Sequence, residues 1–436
     1  MNLEPQTKLE ELQGKLYAKA KAEPKFRFYA LYDKLYRADV LAAAYADSKT
    51  KGGAAGVDGQ TFEQIEAYGV EKWLLELQQE LREKTYRPLP VRRVTIPKPG
   101  GGERPLGIPV IKDRVVQRAA KSLLEPIFEA DFKDSAFGYR PERSARDAVE
   151  KVDAELHQGK TKVVDADLSK YFDTIPHAEL MTCIARRIAD TTMLHLIKMW
   201  LKVPVEERDG KGPPRMTGGK SSKQGTPQGG VISPLLANIY INRLLKKFAA
   251  DRRMQQMRAT IVNYADDFVV LVSFRAEEVL GQLQRWLTGM KLTLNMDKTC
   301  LRDARREPFR FLGYEFGPLY SRKTGKRYIG VQPSNKALKH LREEVSSTLD
   351  RRRTEHWSVI RDELNRQLRG WEHYFNYGSP SVAFHKMNVH VARRVRNFLR
   401  RRHRKPVSTP DYGFWDVFTR LKVRMLTAPR LSARPA

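Results

Sequence analysis

Two short stretches hold aspartates whose type and spacing could do chemistry. "VVDADLSKYFDTI" (163–175) carries Asp165, Asp167 and Asp173, and "VNYADDFVVL" (262–271) carries Asp266 and Asp267. Both stretches are apolar and β-branched, which is the composition of buried strand. Period-two alternation puts Asp165 and Asp167 on one face. The second stretch reads as a strand pair with Asp266 and Asp267 at its bend, buried in an apolar run. Carboxylates buried in such surroundings are costly unless paired, hydrogen-bonded or bound to a cation. A bare Asp-Asp pair is also what a turn would use. Two acidic strand ends brought together instead make a set of hard oxygen ligands, which selects Mg²⁺ or Mn²⁺. A pair of such ions can stabilise the attacking and leaving oxygens of an in-line phosphoryl displacement.

The charge balance says what such a site would work on. Of 436 residues, 80 are Lys or Arg and 51 are Asp or Glu, a net charge of +29. From Ser321 to Ala436 there are 27 Lys/Arg and 9 Asp/Glu, so +18 of that excess lies in the last 116 residues. Such a clustered excess calls for a polyanionic partner. A hydrophobic content of 41% excludes a disordered polyelectrolyte. Cys183 and Cys300 have no CxxC partner, so no cysteine-based zinc site is expected. No apolar run reaches membrane-spanning length, and the charged N-terminus lacks a signal-peptide core. The expectation is a soluble intracellular protein that makes or cuts nucleic acid.

The elements that must position these residues are legible in outline. Residues 1–50 read as helices, "TKGGAAGVDGQT" (50–61) as a glycine-rich loop without a nucleotide-cradling pattern, and 71–84 as helix. Residues 91–110 read as two strands joined by a Gly/Pro turn at 97–102, and 111–130 as helix. Residues 203–223 read as a surface loop or hairpin and 237–248 as helix. From about Lys336 the pattern is helical and basic. The mixture predicts an α+β fold with an all-α basic C-terminal part.

Six segments, taken in order, resemble one family. "YADD" (264–267) is similar to the YxDD signature of reverse transcriptases, and "DADLSKYFDTI" to the palm motif with the first catalytic aspartate. "QGTPQGGVISPLLANIYIN" (224–242) resembles the PQG motif of group II intron reverse transcriptases, and "FRFLGYEF" (309–316) their primer grip. "GVDGQT" (56–61) resembles the N-terminal extension motif of that lineage, and "LNRQLRGWEHYF" (364–375) the thumb, or maturase X domain. The resemblance covers residues 50 to 400. It implies a right-hand polymerase of fingers, palm with antiparallel sheet, and helical thumb.

By that resemblance Asp167, Asp266 and Asp267 are catalytic and bind two Mg²⁺ ions (Mn²⁺ also serving), with the Leu168 carbonyl as a further ligand, while Asp165 and Asp173 are structural. Lys98, Arg104, Phe172 and Gln228 match positions around the incoming deoxynucleotide, Phe172 as the aromatic that excludes a ribose 2′-hydroxyl. Lys298, in "LNMDKT", is placed to protonate pyrophosphate. Tyr264 and Ala265, with Leu312 and Gly313, lie near the primer end and nucleotide. "ARRVRNFLRRRHRKP" (392–406) has seven arginines, and Arg393, Arg394, Arg396, Arg400, Arg401 and Arg402 are read as contacts to structured RNA or the template duplex. Most of the thumb aromatics, Trp357, Trp371, Tyr374, Phe375 and Tyr377, are read as packing.

The expected divisions are 1–90 N-terminal extension and start of fingers, 91–320 fingers and palm, 321–400 thumb, and 401–436 a short basic DNA-binding tail. The expected partners are an RNA template, group II intron RNA, a DNA primer or target and dNTPs, with no membrane and no zinc. The expected location is a bacterial cytoplasm, nucleoid-associated or in a ribonucleoprotein. The cysteine pairs of the family's HNH endonuclease are absent, so target priming is expected to come from elsewhere. Two other readings remain: a domesticated relative serving defence or repair, and a non-catalytic RNA-binding splicing factor.

Overall fold

The structure, a computed structural model, describes residues 5–97, 103–208, 213–227, 229–321, 324–404 and 412–428, except for the side chains of 5, 6 and 104. Helices α1 (Pro5–Ala22), α2 (Tyr32–Leu35), α3 (Ala38–Lys51), α4 (Phe62–Tyr68) and α5 (Val70–Arg82) precede a hairpin of β1 (Val91–Pro97) and β2 (Glu103–Ile108). Then come α6 (Ile111–Glu129), α7 (Ala145–His157), β3 (Lys162–Asp167), α8 (Tyr171–Thr174), α9 (His177–Ala185) and α10 (Thr191–Leu201). A second hairpin, β4 (Pro204–Glu207) and β5 (Arg215–Gly218), is followed by α11 (Ser233–Ala250), α12 (Arg252–Gln256), β6 (Thr260–Tyr264), β7 (Asp267–Val272), α13 (Ala276–Gly289) and β8 (Cys300–Asp303). A three-stranded meander, β9 (Phe309–Phe311), β10 (Tyr314–Tyr320) and β11 (Arg327–Pro333), leads into α14 (Asn335–Thr348), α15 (Trp357–Tyr374), α16 (Ser381–Arg402) and α17 (Phe414–Phe418).

The central sheet has the order β6-β7-β3-β8 and is antiparallel throughout. Its period-two alternation feeds two cores. Val164, Ala166, Phe268, Val270 and Val272 face the first, shared with the N-terminal helices, α6 and α11. Val163, Val262, Val269 and Leu271 face the second, shared with α7, the meander and the thumb helices. A sheet buried on both faces needs near-continuous apolar strands, which is why the stretches around the aspartates are so apolar. The same alternation puts Asp165, Asp167 and Asp267 on the second face.

The finger hairpins join into one mixed sheet, β2-β1-β4-β5, with β1 and β4 parallel. The β4–β5 pair, within the 203–223 stretch, is therefore built into the fingers sheet. The N-terminal helices are fastened to the core by side chains bonded to backbone. Asp190 caps α10 and also accepts from Leu31 N (2.9 Å) and Tyr32 N (2.8 Å), and Arg187 Nη2 donates to Ala20 O (2.8 Å).

The β10–β11 hairpin pairs Tyr320 with Arg327 and runs to Pro333, so strand structure continues past residue 321 and the C-terminal helices start with α14. The described part of the C-terminal tail, 412–428, is packed into the thumb. Val417, Val423 and Leu426 join the second core. The Asn388 side chain donates to Leu426 O and accepts from Leu426 N, both at 2.9 Å, and the buried Glu372 carboxylate accepts from Thr427 N (2.8 Å) and Arg424 Nε (2.5 Å).

Asp113 anchors the approach to the fingers. It is buried, accepting from Tyr86 Oη (2.6 Å) and Leu89 N (3.0 Å), so it ties α6 to the segment entering β1. Burial pushes its carboxyl up to about 6, opposed by those two hydrogen bonds and by Lys112. A carboxyl raised in the folded state contributes stability below its unfolded value, near 3.9, and loses it as pH rises through about 6. The stability of wild type relative to Asp113→Asn is therefore expected to fall between about pH 4 and 6, read as the difference in urea midpoints. A difference that stays flat with pH would refute the assignment.

Candidate active site

The register of the central sheet brings the two acidic stretches together. Asp167, the last residue of β3, lies opposite Asp267, the first of β7, and Asp266 sits in the two-residue connection between the paired Tyr264 and Asp267. The expectation of a buried pair is corrected. Asp266 is half-buried and Asp267 is exposed, because the connection projects beyond the ends of the neighbouring strands. Asp267 nevertheless has protein and other carboxylates around it. Desolvation first, then Asp266, Asp167 and Asp165, push it up to about 6, with Lys298 opposing. Asp165 is raised to about 6 as well, by burial and then by Asp167, with Arg302 holding it down. It lies further down the strand, paired with Cys300.

Asp167 has company from the segment after α13. Asn295 Nδ2 and Lys298 Nζ approach its Oδ2 at 3.2 and 3.1 Å, and Asn295 N donates to the Asp167 carbonyl at 2.8 Å. Ser169 N donates to Thr293 O (3.0 Å), so Leu168 faces Leu294 as a non-hydrogen-bonded pair. That turns the Leu168 carbonyl to the other side of the strand, the side of the β6–β7 connection.

Among the described residues, no three Asp, Glu, His or Cys side chains close on one point that could hold a metal ion. The donor set nonetheless fits one. It offers hard oxygens only, the carboxylates repel one another, and a main-chain carbonyl is turned toward them. A divalent cation relieves that repulsion.

The acidic connection is held from two sides. Ala265 has φ of 58°, a left-handed conformation that favours glycine. Beneath it the Asn263 side chain donates to Ala265 O (2.9 Å). Beside it runs Gly138, whose carbonyl accepts from Asn238 Nδ2 (2.8 Å) and whose neighbour Phe137 donates from N to Asn263 O (2.9 Å). Asn263, Asn295 and Gly138 were not singled out from sequence. Asn263 alone carried a signal, an amide in an apolar strand where Asn is depleted.

The second turn of the site, Leu312-Gly313, joins β9 to β10 with φ of 49° and 78°. Positive φ at both positions is the type I′ hairpin pattern, unusual for leucine. The thumb clamps it. Tyr374 Oη donates to Leu312 O (2.9 Å), Tyr314 Oη donates to Tyr374 O, and the Phe375 ring lies where a Gly313 Cβ would be 3.3 Å away. Tyr264 adds to the pressure of burial on Tyr374, whose hydroxyl is pushed up to about 12, so Tyr374 lies within electrostatic reach of the acidic turn as well as bonding to the Leu312-Gly313 turn.

The remaining expected residues divide. Phe172 is buried at 8% exposure with edge contacts to Tyr171 and Tyr139, and its carbonyl accepts from Thr226 N (2.7 Å). Arg104 is placed by its backbone alone, opposite Ile96. Lys98 and Gln228 lie outside the described residues. In α16 the expected row of free cations is partly taken. Arg396 Nε donates to Tyr412 O (3.0 Å), Arg402 to Glu355 O (2.7 Å) and Thr354 O (3.0 Å), and Arg394 to Ser346 O (3.3 Å). Arg393 and Arg401 are exposed. Trp371 and Phe375 pack together with ring centroids 4.7 Å apart, as the packing reading requires.

Residues 96–316 match the family "Reverse transcriptase (RNA-dependent DNA polymerase)". With an antiparallel palm sheet whose paired strand ends carry the aspartates, the chain belongs to the reverse transcriptases and is an RNA-directed DNA polymerase of right-hand fold. Residues 338–411 match the "Group II intron, maturase-specific domain", and the chain is a reverse transcriptase/maturase of the group II intron-encoded kind. Protein YkfC of Escherichia coli (strain K12) is 36% identical over 367 residues, 76% of this chain and 93% of YkfC. The group II intron-encoded protein LtrA of Lactococcus lactis subsp. cremoris is 29% identical over 350 residues, 66% of this chain and 56% of LtrA. The chain thus matches just over half of LtrA's length. No helix among the described residues is long and apolar enough to cross a membrane.

A methyl group at Gly138 would lie 2.5 Å from Ala265 N and 3.1 Å from the Tyr264 carbonyl carbon. Both are backbone atoms and cannot rotate away. Gly138→Ala is expected to displace the acidic turn and lower primer extension by roughly tenfold or more, as ångström-scale misplacement of reacting groups does, with thermal unfolding still cooperative. Wild-type extension rates in that variant would show that the turn is not held from this side.

Proposed function

We propose that Asp167, Asp266 and Asp267, with the Leu168 carbonyl, hold two Mg²⁺ ions, and that the chain copies an RNA template into DNA from a DNA primer while also holding folded intron RNA for splicing and retrohoming. The observation that carries this reading is the register that sets Asp167 against Asp267 beside the Asp266 turn. When bound, the ions lower the pKa of the primer 3′-hydroxyl and neutralise charge on the triphosphate.

The chain's own residues do the positioning. The clamped Leu312-Gly313 turn sets the primer end against the Tyr264-Ala265 backbone. By the family resemblance Lys98 and Arg104 serve the triphosphate of the incoming dNTP, arginine with the fork that suits phosphate, and Gln228 serves the nucleotide. Lys298, whose ammonium is 3.1 Å from Asp167, is assigned the role of giving a proton to departing pyrophosphate. Phe172 occupies the space a ribose 2′-hydroxyl would need. The maturase-specific match and the presence of all three aspartates favour this reading over a domesticated enzyme or a decayed splicing factor.

With an RNA template, a DNA primer, dNTPs and Mg²⁺, the wild type is expected to extend the primer. Asp266→Ala and Asp167→Ala are each expected to abolish extension while still binding the template–primer in a gel-shift assay. Extension by Asp266→Ala at the wild-type rate would refute the site. Phe172→Val is expected to raise incorporation of ribonucleotides relative to deoxynucleotides, measured as the ratio of kcat/KM for the two triphosphates. An unchanged ratio would assign Phe172 to packing alone.

A further inference from the structure

Shortly after the first catalytic aspartate lies a buried imidazole that none of the polymerase roles uses. His177 opens α9 and is 7% exposed. Its Nε2 lies 2.6 Å from Gly225 O. A carbonyl can only accept, so the hydrogen sits on Nε2, and in the neutral ring Nδ1 is a bare lone pair. Nδ1 is buried with no hydrogen-bond partner among the described residues. Burying a polar ring for a single bond is costly, which singles out the bond to Gly225.

Gly225 belongs to a short ribbon. Residues 172–177 and 223–226 run past each other with Pro176 bridged antiparallel to Gln224. His177 N donates to Lys223 O (2.9 Å), Gly225 N to Ile175 O (2.8 Å) and Thr226 N to Phe172 O (2.7 Å). The Gly225 carbonyl and the Thr226 N–H belong to one planar peptide unit, and in a trans unit they point in opposite directions. That unit is pinned at both edges, by the imidazole on one and by the Phe172 carbonyl on the other. Gly225 has φ of 93°, and a Cβ there would lie 3.1 Å from Asp173 O. Glycine leaves the backbone soft at this point. His177 supplies from across the ribbon the restraint that Gly225 lacks.

We propose that His177 is a positioning residue for sugar selection: by holding the Gly225–Thr226 peptide unit it fixes the Phe172 backbone, and so the aim of the Phe172 ring. The inference rests on the reading of Phe172 as the group that excludes a ribose 2′-hydroxyl. The ring's aromatic contacts are edge-on, to Tyr171 and Tyr139, with centroids 5.7 and 6.3 Å away. Contacts of that kind are satisfied over a range of separations, whereas the bond at the Phe172 carbonyl is directional. The helix that carries Phe172, α8, has four residues, too few to hold itself. A steric gate works only if it cannot yield, so this gate is as strict as the backbone beneath it.

The test is primer extension by the full chain, read as the ratio of kcat/KM for a deoxynucleotide to that for the matching ribonucleotide, with template–primer affinity measured alongside. His177→Leu fills the site without a donor. It is expected to lower the ratio by roughly tenfold, the discrimination carried by about one methylene of steric fit, and to leave template–primer affinity unchanged. The double variant with Phe172→Val is expected to match Phe172→Val alone, because two residues acting in series do not add. His177→Gln, whose amide can reach Gly225 O, is expected to restore the wild-type ratio. An unchanged ratio in His177→Leu beside a lowered one in Phe172→Val overturns the role of His177 and leaves the reading of Phe172 standing. Unchanged ratios in both overturn the reading of Phe172, and the proposal with it. Additive losses in the double variant overturn the route through Phe172, and a glutamine variant as impaired as the leucine one overturns the hydrogen bond as the cause. If His177→Leu does not melt cooperatively, His177→Asn, whose shorter amide falls short of Gly225, takes its place with the same expected loss and the same overturning result.

Discussion

Everything at the catalytic end follows from mutual repulsion among carboxylates fixed to one rigid sheet. Asp165, Asp167 and Asp267 share a face, and Asp266 sits in the adjoining turn. Left to themselves these groups would move apart or take up protons, and burial first, then this repulsion, pushes the carboxyls of Asp165 and Asp267 up to about 6. They stay together because the strands that carry them are locked between two hydrophobic cores, one on each face. The cost of crowding the charges is thus borne by packing well away from them. This is the arrangement expected where a cation is to bind, since the repulsion that destabilises the bare site is what the cation relieves.

Two turns then convert a rigid sheet into a working site, and each sits in a conformation its residues do not favour. Ala265 and Leu312 are both left-handed where glycine would be easier. Such conformations persist when neighbours over-determine them. For Ala265 the neighbours are Asn263 and the Gly138 backbone, both from the palm itself. For Leu312 they are Tyr374 and Phe375, from the thumb. The acidic turn is therefore set by the palm alone, whereas the primer-grip turn is set by where the thumb docks. With the proposed role of Leu312-Gly313 at the primer end, thumb position and primer position become one mechanical variable.

How far this was readable beforehand depended on the range of the interaction. The aspartates, the hairpins and the basic thumb helices are local patterns of composition and period, and they were found where expected. The parallel β1–β4 pairing, the Gly138 contact across more than a hundred residues and the docking of 412–428 through Asn388 and Glu372 are long-range. No local pattern encodes them. The expectation that Asp267 is buried failed for a different reason. An apolar run says that a strand is buried, but it does not say where the strand ends relative to its neighbours, and Asp267 lies at that end.

The arginine run of α16 shows the same limit from the side of charge. Read as a sequence, its cations are equivalent. In the fold, Arg396 and Arg402 donate to backbone carbonyls, Arg394 is half-spent, and Arg393 and Arg401 face outward. A guanidinium bonded to carbonyls keeps its charge but loses freedom of aim, so it contributes field without contributing a grip. Direction must then come from the few arginines whose forks remain free. Net charge predicts that the C-terminal helices attract polyanions, and the hydrogen-bond pattern separates the arginines that keep a free fork from those that add only field.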